Sequence, residues 1–315
     1  MSINQNLHNS VFTDLYLGES DSWFAGVPGQ QDPYPAPPHI MAELIDLWQK
    51  CSDSERKINR SDFALQHNGI TYRVSKMPSI SGIVYVLRRF PAEIPDIQKI
   101  GLLPGLVRRL MKPGLKGMIV IGGATGSGKT WTASALLKAR LEAYGGVAVT
   151  AEDPPEMPLH GKHGKGVCFQ VAVSRESGGF AEASRHIVRW KPNIIFLGEI
   201  RDEEVAVEAL RASINGHLVI TTVHADSVIS TMQRIQALAS SGEGAETNAL
   251  LADGLLAVLH QKLDAVGQRK ILKSEFLLLT DESSRGAKAI IRQGRLEMLA
   301  TEIRQQQNQM MNEPR

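Results

Sequence analysis

The chain has 315 residues, of which 43% are hydrophobic and 22% are charged, and its formal net charge is +2 at pH 7. This length accommodates two domains with buried cores, and this composition excludes a disordered chain. The near balance of charge excludes a strongly basic protein whose main partner is nucleic acid or an anionic membrane.

Neither cysteine usage nor hydropathy points to export or to a membrane span. Cys51 and Cys168 are the two cysteines, and they provide neither a disulfide framework nor a zinc-binding pair. The first ten residues lack the layout of a signal peptide, and no segment approaches the ~18 apolar residues that cross a bilayer. These features predict a cytoplasmic protein.

The N-terminal part of the chain has the pattern of an α+β domain. A short strand is predicted at 14–17, a loop at 26–38 and an amphipathic helix at 39–50. Residues 70–76 and 82–90 alternate in polarity as two strands joined by a turn. Because prolines and glycines then cluster, we predict a first domain over residues 1–95, a linker over 96–104 and a second domain over 105–315.

The second part alternates apolar runs with helical stretches, which predicts an α/β domain. Continuous apolar runs are typical of parallel strands that helices cover on both faces. The tail from about Gln305 is rich in Gln, Asn and Met and is expected to fray. The predicted strands are 118–121, 147–150, 194–197 and 218–223.

A glycine-rich loop follows the first of these strands and fits the pattern GxxxxGK[ST]. Glycines allow successive N–H groups to turn toward phosphate oxygens, and the following helix adds the positive end of its dipole. The lysine reaches the outer phosphates and the threonine hydroxyl ligates Mg²⁺. The predicted phosphate-binding residues are Gly123, Ala124, Thr125, Gly126, Ser127, Gly128, Lys129 and Thr130.

Polar residues follow the next three predicted strands. Glu152 ends the second strand, Glu199 follows the third, and His224 follows the fourth. Carboxylates at the carboxyl ends of such strands are suited to orienting water or metal for hydrolysis. The alternatives are that the carboxylates cap helices and that the histidine is a satisfied core residue.

These strand ends together resemble those of one family, the secretion and pilus motor ATPases of the PilT/GspE/DotB type. AEDPPE (151–156) resembles the Asp box of the family, KPNIIFLGEIRD (191–202) its Walker B segment, and GHLVITTVHADSVISTMQRI (216–235) its His box. TDLYL (13–17), SDFAL (61–65), YRVSK (72–76) and LRRFP (87–91) resemble signatures of its N-terminal domain. The resemblance covers nearly the whole chain. It is closest to the PilT and DotB types, because the cysteine quartet of the assembly ATPases is absent.

The resemblance implies the fold and the roles of individual residues. It implies a PAS-like α+β domain followed by a RecA-like P-loop domain. Glu199 would polarise the attacking water, Glu152 and Thr130 would hold Mg²⁺ in part through water, and His224 would couple the γ-phosphate to motion. The arginines that reach a nucleotide, some from a neighbouring subunit, would be Arg88, Arg175 and Arg189.

The resemblance also implies the assembly and its setting. Hexameric rings would bind ATP and Mg²⁺ and convert hydrolysis into work on an inner-membrane platform or channel protein, from the cytoplasmic side of that membrane. The machine would be a type IV pilus or a type IV secretion system, and no direct contact with nucleic acid is expected. A nucleic-acid motor is the weaker alternative, since no basic stripe with interleaved aromatics occurs.

Two departures from the family pattern bear on activity. Lys191-Pro192-Asn193 replaces the usual Asp-Pro-Asp ahead of the Walker B strand, which keeps open a nucleotide-binding switch with little hydrolysis. Residues 154–170 replace a more acidic stretch and bring His160 and His163 into a predicted polar loop. Metal binding by these histidines is the alternative to a plain polar loop.

Overall fold

A computed structural model describes residues 3, 6–173, 179–243, 246–267, 269–280 and 284–313. The chain divides into two compact units, one formed by Met1–Glu93 with Asp153–Pro158 and the other by Ile94–Glu152 with Leu159–Arg315. The segment Asp153–Pro158 therefore groups with the first unit, although it directly follows a strand of the second. The sequence did not anticipate this assignment, and the boundaries proposed from it stay predictions.

The first unit is an antiparallel sheet with one long helix among its described residues. The elements of this unit are β1 (Asp14–Leu17), β2 (Ser22–Ala25), β3 (Tyr34–Pro35), α1 (Met41–Ile58), β4 (Asp62–His67), β5 (Ile70–Ser79) and β6 (Gly82–Arg89). The sheet runs in the order β3-β2-β1-β6-β5-β4, and every pair of neighbouring strands is antiparallel.

Helix α1 supplies part of the core of the first unit. Leu44, Leu47 and Cys51 are fully buried at helical spacing, which confirms the helix predicted for this region. The helix continues beyond the predicted end and stops at Asn59, whose left-handed backbone (φ 54°) ends the helix as asparagine often does.

The second unit is built around a mostly parallel sheet of eight strands among its described residues. Its elements are α2 (Pro104–Leu110), β7 (Gly117–Gly122), α3 (Lys129–Tyr144), β8 (Gly146–Glu152), β9 (Gly161–His163), β10 (Gly166–Ala172), α4 (Gly179–Arg189), β11 (Ile194–Leu197), α5 (Glu203–Ile214), β12 (Leu218–Val223), α6 (Val228–Glu243), α7 (Thr247–Gly254), β13 (Leu255–Val266), β14 (Arg269–Leu278), α8 (Arg285–Arg292) and α9 (Ala300–Met311).

The strand order β14-β13-β7-β12-β11-β8-β10-β9 places six parallel strands in the middle and an antiparallel strand at each edge. Every residue of β7, β11 and β12 is buried. Alternating side chains point to opposite faces of a strand, so both faces of the sheet are covered. The predicted α/β fold is confirmed.

The expectation that the tail frays is wrong for the described residues. Helix α9 extends over the Gln-rich segment, and the Gln306 side chain bridges both backbone groups of Leu278, with an Nε2–O distance of 3.0 Å and an Oε1–N distance of 2.8 Å. Glu313 pairs with Arg108 on α2 at 3.0 Å. Polar side chains thus attach a segment whose composition alone suggested disorder.

Among the described residues, none of the helices combines the length and hydropathy that a bilayer crossing requires.

Candidate functional site

The glycine-rich loop joins β7 to α3 as predicted. Ala124, Thr125 and Gly126 are exposed at its tip, whereas Ser127 and Lys129 are buried. Gly128 has a φ of 84°, a left-handed conformation that side chains disfavour, directly before the first helical residue. The helix therefore begins with its N-terminal dipole at the loop, which favours an anion there.

Glycine is required at position 123 because neighbouring atoms occupy the space that a Cβ would need. A Cβ at this position would lie 2.5 Å from both the Gln261 carbonyl oxygen and the Ser127 Oγ. The Ser127 Oγ is itself buried and has no hydrogen-bond partner among the described residues. A compact loop with an unsatisfied hydroxyl fits a polyanionic ligand such as a nucleotide phosphate.

Lys129 folds back over its own loop. Its Nζ donates to the Gly123 carbonyl at 2.8 Å and to the Ala124 carbonyl at 2.9 Å, and the residue is only 8% exposed. These contacts keep a buried ammonium satisfied. A phosphate oxygen at the same place would be the stronger partner because it carries charge.

Glu152 lies at the carboxyl end of β8 and is 3% exposed. Its Oε1 accepts from the Thr150 hydroxyl at 2.6 Å and from the Gln170 amide at 2.9 Å. Thr130 is partly buried in the first turn of α3. Carboxylate and hydroxyl oxygens are the ligands Mg²⁺ prefers in phosphate sites, where substrate oxygens and waters complete the shell, so this donor set fits the ion.

Glu199 is held between two cationic or polar neighbours. Its Oε2 accepts from the Arg201 Nε at 2.8 Å, and its Oε1 lies 3.4 Å from the His224 Nε2. The side chain of Glu199 is 17% exposed, whereas that of Arg201 is 64% exposed. The structure thus joins Glu199 to His224, and it adds Arg201 as a partner of the same carboxylate.

The parallel register brings these side chains to one edge of the sheet. Leu197 of β11 pairs with Ala151 of β8 and with Thr221 of β12, and Val223 of β12 pairs with Gly122 of β7. The four strands β7, β12, β11 and β8 are consecutive neighbours. Their carboxyl ends therefore carry the phosphate loop, His224, Glu199 and Glu152 side by side, in the crevice position where α/β sheets bind ligands.

The sequence profile of the family described as "Type II/IV secretion system protein" matches residues 46–313. The chain belongs to this family. The resemblance predicted from the motifs is therefore confirmed.

The named relatives include a pilus ATPase and a protein of a type II secretion system. The type IV pilus retractation ATPase PilT of Pseudomonas aeruginosa is 30% identical over 240 residues, which cover 74% of this chain and 69% of that protein. The type II secretion system protein E of Klebsiella pneumoniae is 36% identical over 233 residues, which cover 71% of this chain but 44% of that protein. The chain thus spans less than half the length of the second relative.

A solved structure supports the fold of this secretion-system protein. The crystal structure of the pilus retraction motor PilT with bound ADP superimposes with a TM-score of 0.77 and 26% identity, covering 93% of this chain and 86% of that one. The predicted small N-terminal domain followed by a P-loop α/β domain is the arrangement the two proteins share.

Lys191-Pro192-Asn193, which departs from the family pattern, lies at the amino ends of the strands, opposite to the edge that carries Glu199. Asn193 directly precedes β11, and its Oδ1 accepts from the Val147 N–H at the start of β8 at 2.8 Å. The ring of His217 contacts the Pro192 carbonyl at 2.8 Å. Because β11 separates Asn193 from Glu199, the altered charge lies about 13 Å or more along the strand from the edge that carries Glu199.

The three predicted arginines have different surroundings. Arg88 on β6 forms a bidentate pair with Asp14 on β1, at 2.7 and 3.1 Å, and this hydrogen bonding raises the pKa of the guanidinium. Arg189 is exposed at the end of α4. Arg175 lies outside the described residues. The nucleotide contacts expected of all three stay predictions.

The predicted polar loop is in fact a β-hairpin formed by β9 and β10. His160 Nδ1 accepts from the Gln170 N–H at 3.3 Å, and the His163 Nε2 lies 2.7 Å from the Leu159 carbonyl. Both rings are thus engaged with backbone groups. No cluster of three metal-ligating side chains occurs among the described residues.

Burial, followed by the charge of Glu152, raises the pKa of the Cys168 thiol on β10 to about 12, so this thiol stays neutral.

Sequence reasoning missed Gln261. This residue is fully buried on β13, and its amide Nε2 donates to the Ser127 carbonyl of the phosphate loop at 2.7 Å. The available signal was a glutamine within the apolar strand LLAVLHQKL, since buried polar side chains need a partner.

Proposed function

We propose that the chain is a Mg²⁺-dependent ATPase that converts hydrolysis into mechanical work in a type IV pilus or a type IV secretion machine. The observation that carries this proposal is the single edge formed by β7, β12, β11 and β8. It combines a phosphate loop with two carboxylates and a histidine. The names of the relatives support the same activity.

Binding is assigned to the loop and its lysine. Lys129 would exchange the carbonyls of Gly123 and Ala124 for phosphate oxygens, at little cost because the new partners are charged. Thr130 and Glu152 would hold Mg²⁺, directly or through water. The ion would neutralise charge on the transferring phosphoryl group.

Hydrolysis is assigned to Glu199. Its carboxylate would orient the attacking water and accept its proton, the role a carboxylate takes in such sites. Glu199 must first give up part of its contact with Arg201, whose side chain is largely exposed. Water can replace the carboxylate at the exposed guanidinium, which limits the cost of this exchange. His224, whose Nε2 lies 3.4 Å from the same carboxylate, would transmit occupancy of the γ-phosphate position to the rest of the protein.

The assembly is proposed to be a homo-hexamer at the cytoplasmic face of the inner membrane, acting on a membrane-embedded platform or channel protein. Relatives in pilus and type II secretion systems support this setting. In such a ring, arginines including Arg88 would complete the nucleotide sites. A bound γ-phosphate would favour one relative position of the two domains, and its loss would remove that preference.

The contacts of Pro192 and Asn193 weaken the case for the nucleotide-switch alternative. The motive for that alternative was the altered flank Lys191-Pro192-Asn193. Asn193 contacts Val147 at the start of β8, and Pro192 contacts His217 just before β12. Both lie on the far side of β11 from Glu199.

The proposal is tested by ATP turnover per subunit against protein concentration, with Glu199→Gln and the control Glu204→Gln. Glu204 is an exposed glutamate on α5 that pairs with Arg185. We expect turnover to need Mg²⁺, to rise with concentration, and to fall about a thousandfold in Glu199→Gln only. Retained ATP binding without turnover in the wild type would instead favour the switch.

A further inference from the structure

Gln261 supports the phosphate loop from the neighbouring strand. Strand β13 pairs in parallel with β7, and His260 stands opposite Gly122, the last residue of β7. Gln261 therefore comes level with the first loop residue, Gly123, although the two are far apart in the chain. Its side chain is fully buried and donates to the Ser127 carbonyl at 2.7 Å.

Close contacts fix this arrangement at both ends of the loop. A Cβ on Gly123 would lie 2.5 Å from the Gln261 carbonyl oxygen, and a Cβ on Gly128 would lie 3.3 Å from the Gln261 Nε2. Glycine at these two positions lets the loop rest directly on Gln261.

The hydrogen bond to Ser127 determines the direction of the next N–H group. The Ser127 carbonyl and the Gly128 N–H belong to one planar trans peptide, in which the two groups point in opposite directions. Holding the carbonyl toward Gln261 therefore turns the Gly128 N–H away from β13. Because the partner is a carbonyl, the amide nitrogen and not the oxygen of Gln261 must face it.

The amide oxygen of Gln261 indicates that hydrogen bonding of the whole amide is not what this position requires. Its Oε1 is buried without a hydrogen-bond partner among the described residues. An unsatisfied buried acceptor destabilises the fold. An apolar side chain of similar size would avoid that cost, and so the value of the glutamine lies in its donor.

We propose that Gln261 is a positioning residue that orients the Ser127–Gly128 peptide so that the Gly128 N–H faces the phosphates of the nucleotide. This inference rests on the proposed function. It predicts that the amide donor of Gln261 contributes the same binding free energy to every nucleoside diphosphate or triphosphate. The contribution is then the same in the ground state and the transition state, so it changes KM and leaves kcat in place.

The test measures affinity for ADP with Mg²⁺ by fluorescence titration of a labelled ADP, and the KM and kcat for ATP. The full chain is compared with Gln261→Met and with Gln261→Glu, which keeps the size but replaces the donor by an acceptor. Gln306→Met is the matched control, because that glutamine also bridges to backbone, at Leu278. Thermal unfolding verifies that each variant folds.

We expect Gln261→Met to weaken ADP binding about tenfold, to raise KM similarly and to leave kcat within about twofold. Gln261→Glu is expected to bind more weakly still, and it carries the test if the Met variant does not fold. ADP affinity of both folded variants equal to that of Gln306→Met would overturn the role of Gln261. Failure of the wild type to bind ADP would instead overturn the proposed function.

Discussion

The two ends of the central strands in the second unit contrast in their chemistry. At the amino ends of β8, β11 and β12, polar groups bind one another: Asn193 pairs through its side chain and its backbone with Val147, at 2.8 Å in both contacts. A Cβ on Gly146 would lie 2.5 Å from the Asn193 Oδ1. This end is closed by local contacts that leave little room for a ligand.

The carboxyl ends of the same strands carry charges with exchangeable partners. Lys129 rests on carbonyls of its own loop, and Glu199 is paired with the exposed Arg201. A nucleotide phosphate would be a stronger partner for Lys129 than these neutral carbonyls, because it carries charge. The Arg201 side of the second contact is open to water, so that partner can be exchanged. The comparison predicts that changes at the amino ends will act on stability, whereas changes at the carboxyl ends will act on nucleotide binding and hydrolysis.

The largest effect should come from removing the cation of the phosphate loop. Lys129→Ala should weaken binding of an ATP analogue about a hundredfold, because charge-assisted hydrogen bonds contribute ~1.5–3 kcal/mol each. Calorimetric titration with the non-hydrolysable analogue measures the change, and Lys138→Ala on the same helix, which removes an exposed pair with Glu142, is the control. Normal affinity in Lys129→Ala would contradict the assignment of the phosphate loop.

A smaller effect is expected outside the sheet edge, at Arg88. Arg88→Ala should leave nucleotide binding within about threefold but slow turnover about tenfold at concentrations that favour the ring, because a transition-state cation is lost. Arg56→Ala, an exposed arginine on α1, is the control. Unchanged turnover in Arg88→Ala would mean that Arg88 only forms its ion pair with Asp14. The residues at the strand ends would then be sufficient for hydrolysis.

The sequence predicted those features that depend on residues close together in the chain. The phosphate loop is contiguous, and the apolar runs of β7, β8, β11 and β12 predict buried parallel strands because both faces must be covered. The order of those strands then brings Glu152, Glu199 and His224 to one edge. Their catalytic roles stay predictions.

Features that depend on distant pairings could not be predicted in the same way. Gln261 lies 134 residues from its partner Ser127, so no local pattern connects them. The hairpin of β9 and β10 was interpreted as a loop because its short first strand is polar. The tail was expected to fray because its composition is polar, whereas Gln306 and Glu313 are satisfied by groups on β14 and α2.

A still smaller effect should follow from removing the Asn193 contact at the amino ends of β8 and β11. Asn193→Ala removes the acceptor for the Val147 N–H, which is partly exposed to water, and should lower the free energy of unfolding by about 1 kcal/mol. ATP turnover at saturating substrate should change less than about twofold, because no group at the carboxyl ends moves. Thermal unfolding and turnover are measured on the same preparation.

The smallest effect is expected for Asn193→Asp, which restores the residue that the family usually has at this position. The Asp carboxylate keeps an oxygen for the Val147 N–H, and its charge lies beyond β11 from Glu199. Screening at physiological salt, with a Debye length of about 8 Å, leaves little of the field of that charge at Glu199. Turnover and the free energy of unfolding should therefore both stay close to wild type. A tenfold rise in turnover would break the contrast between the two ends, since it would mean that the amino-terminal flank limits hydrolysis and that this chain is tuned toward slow turnover.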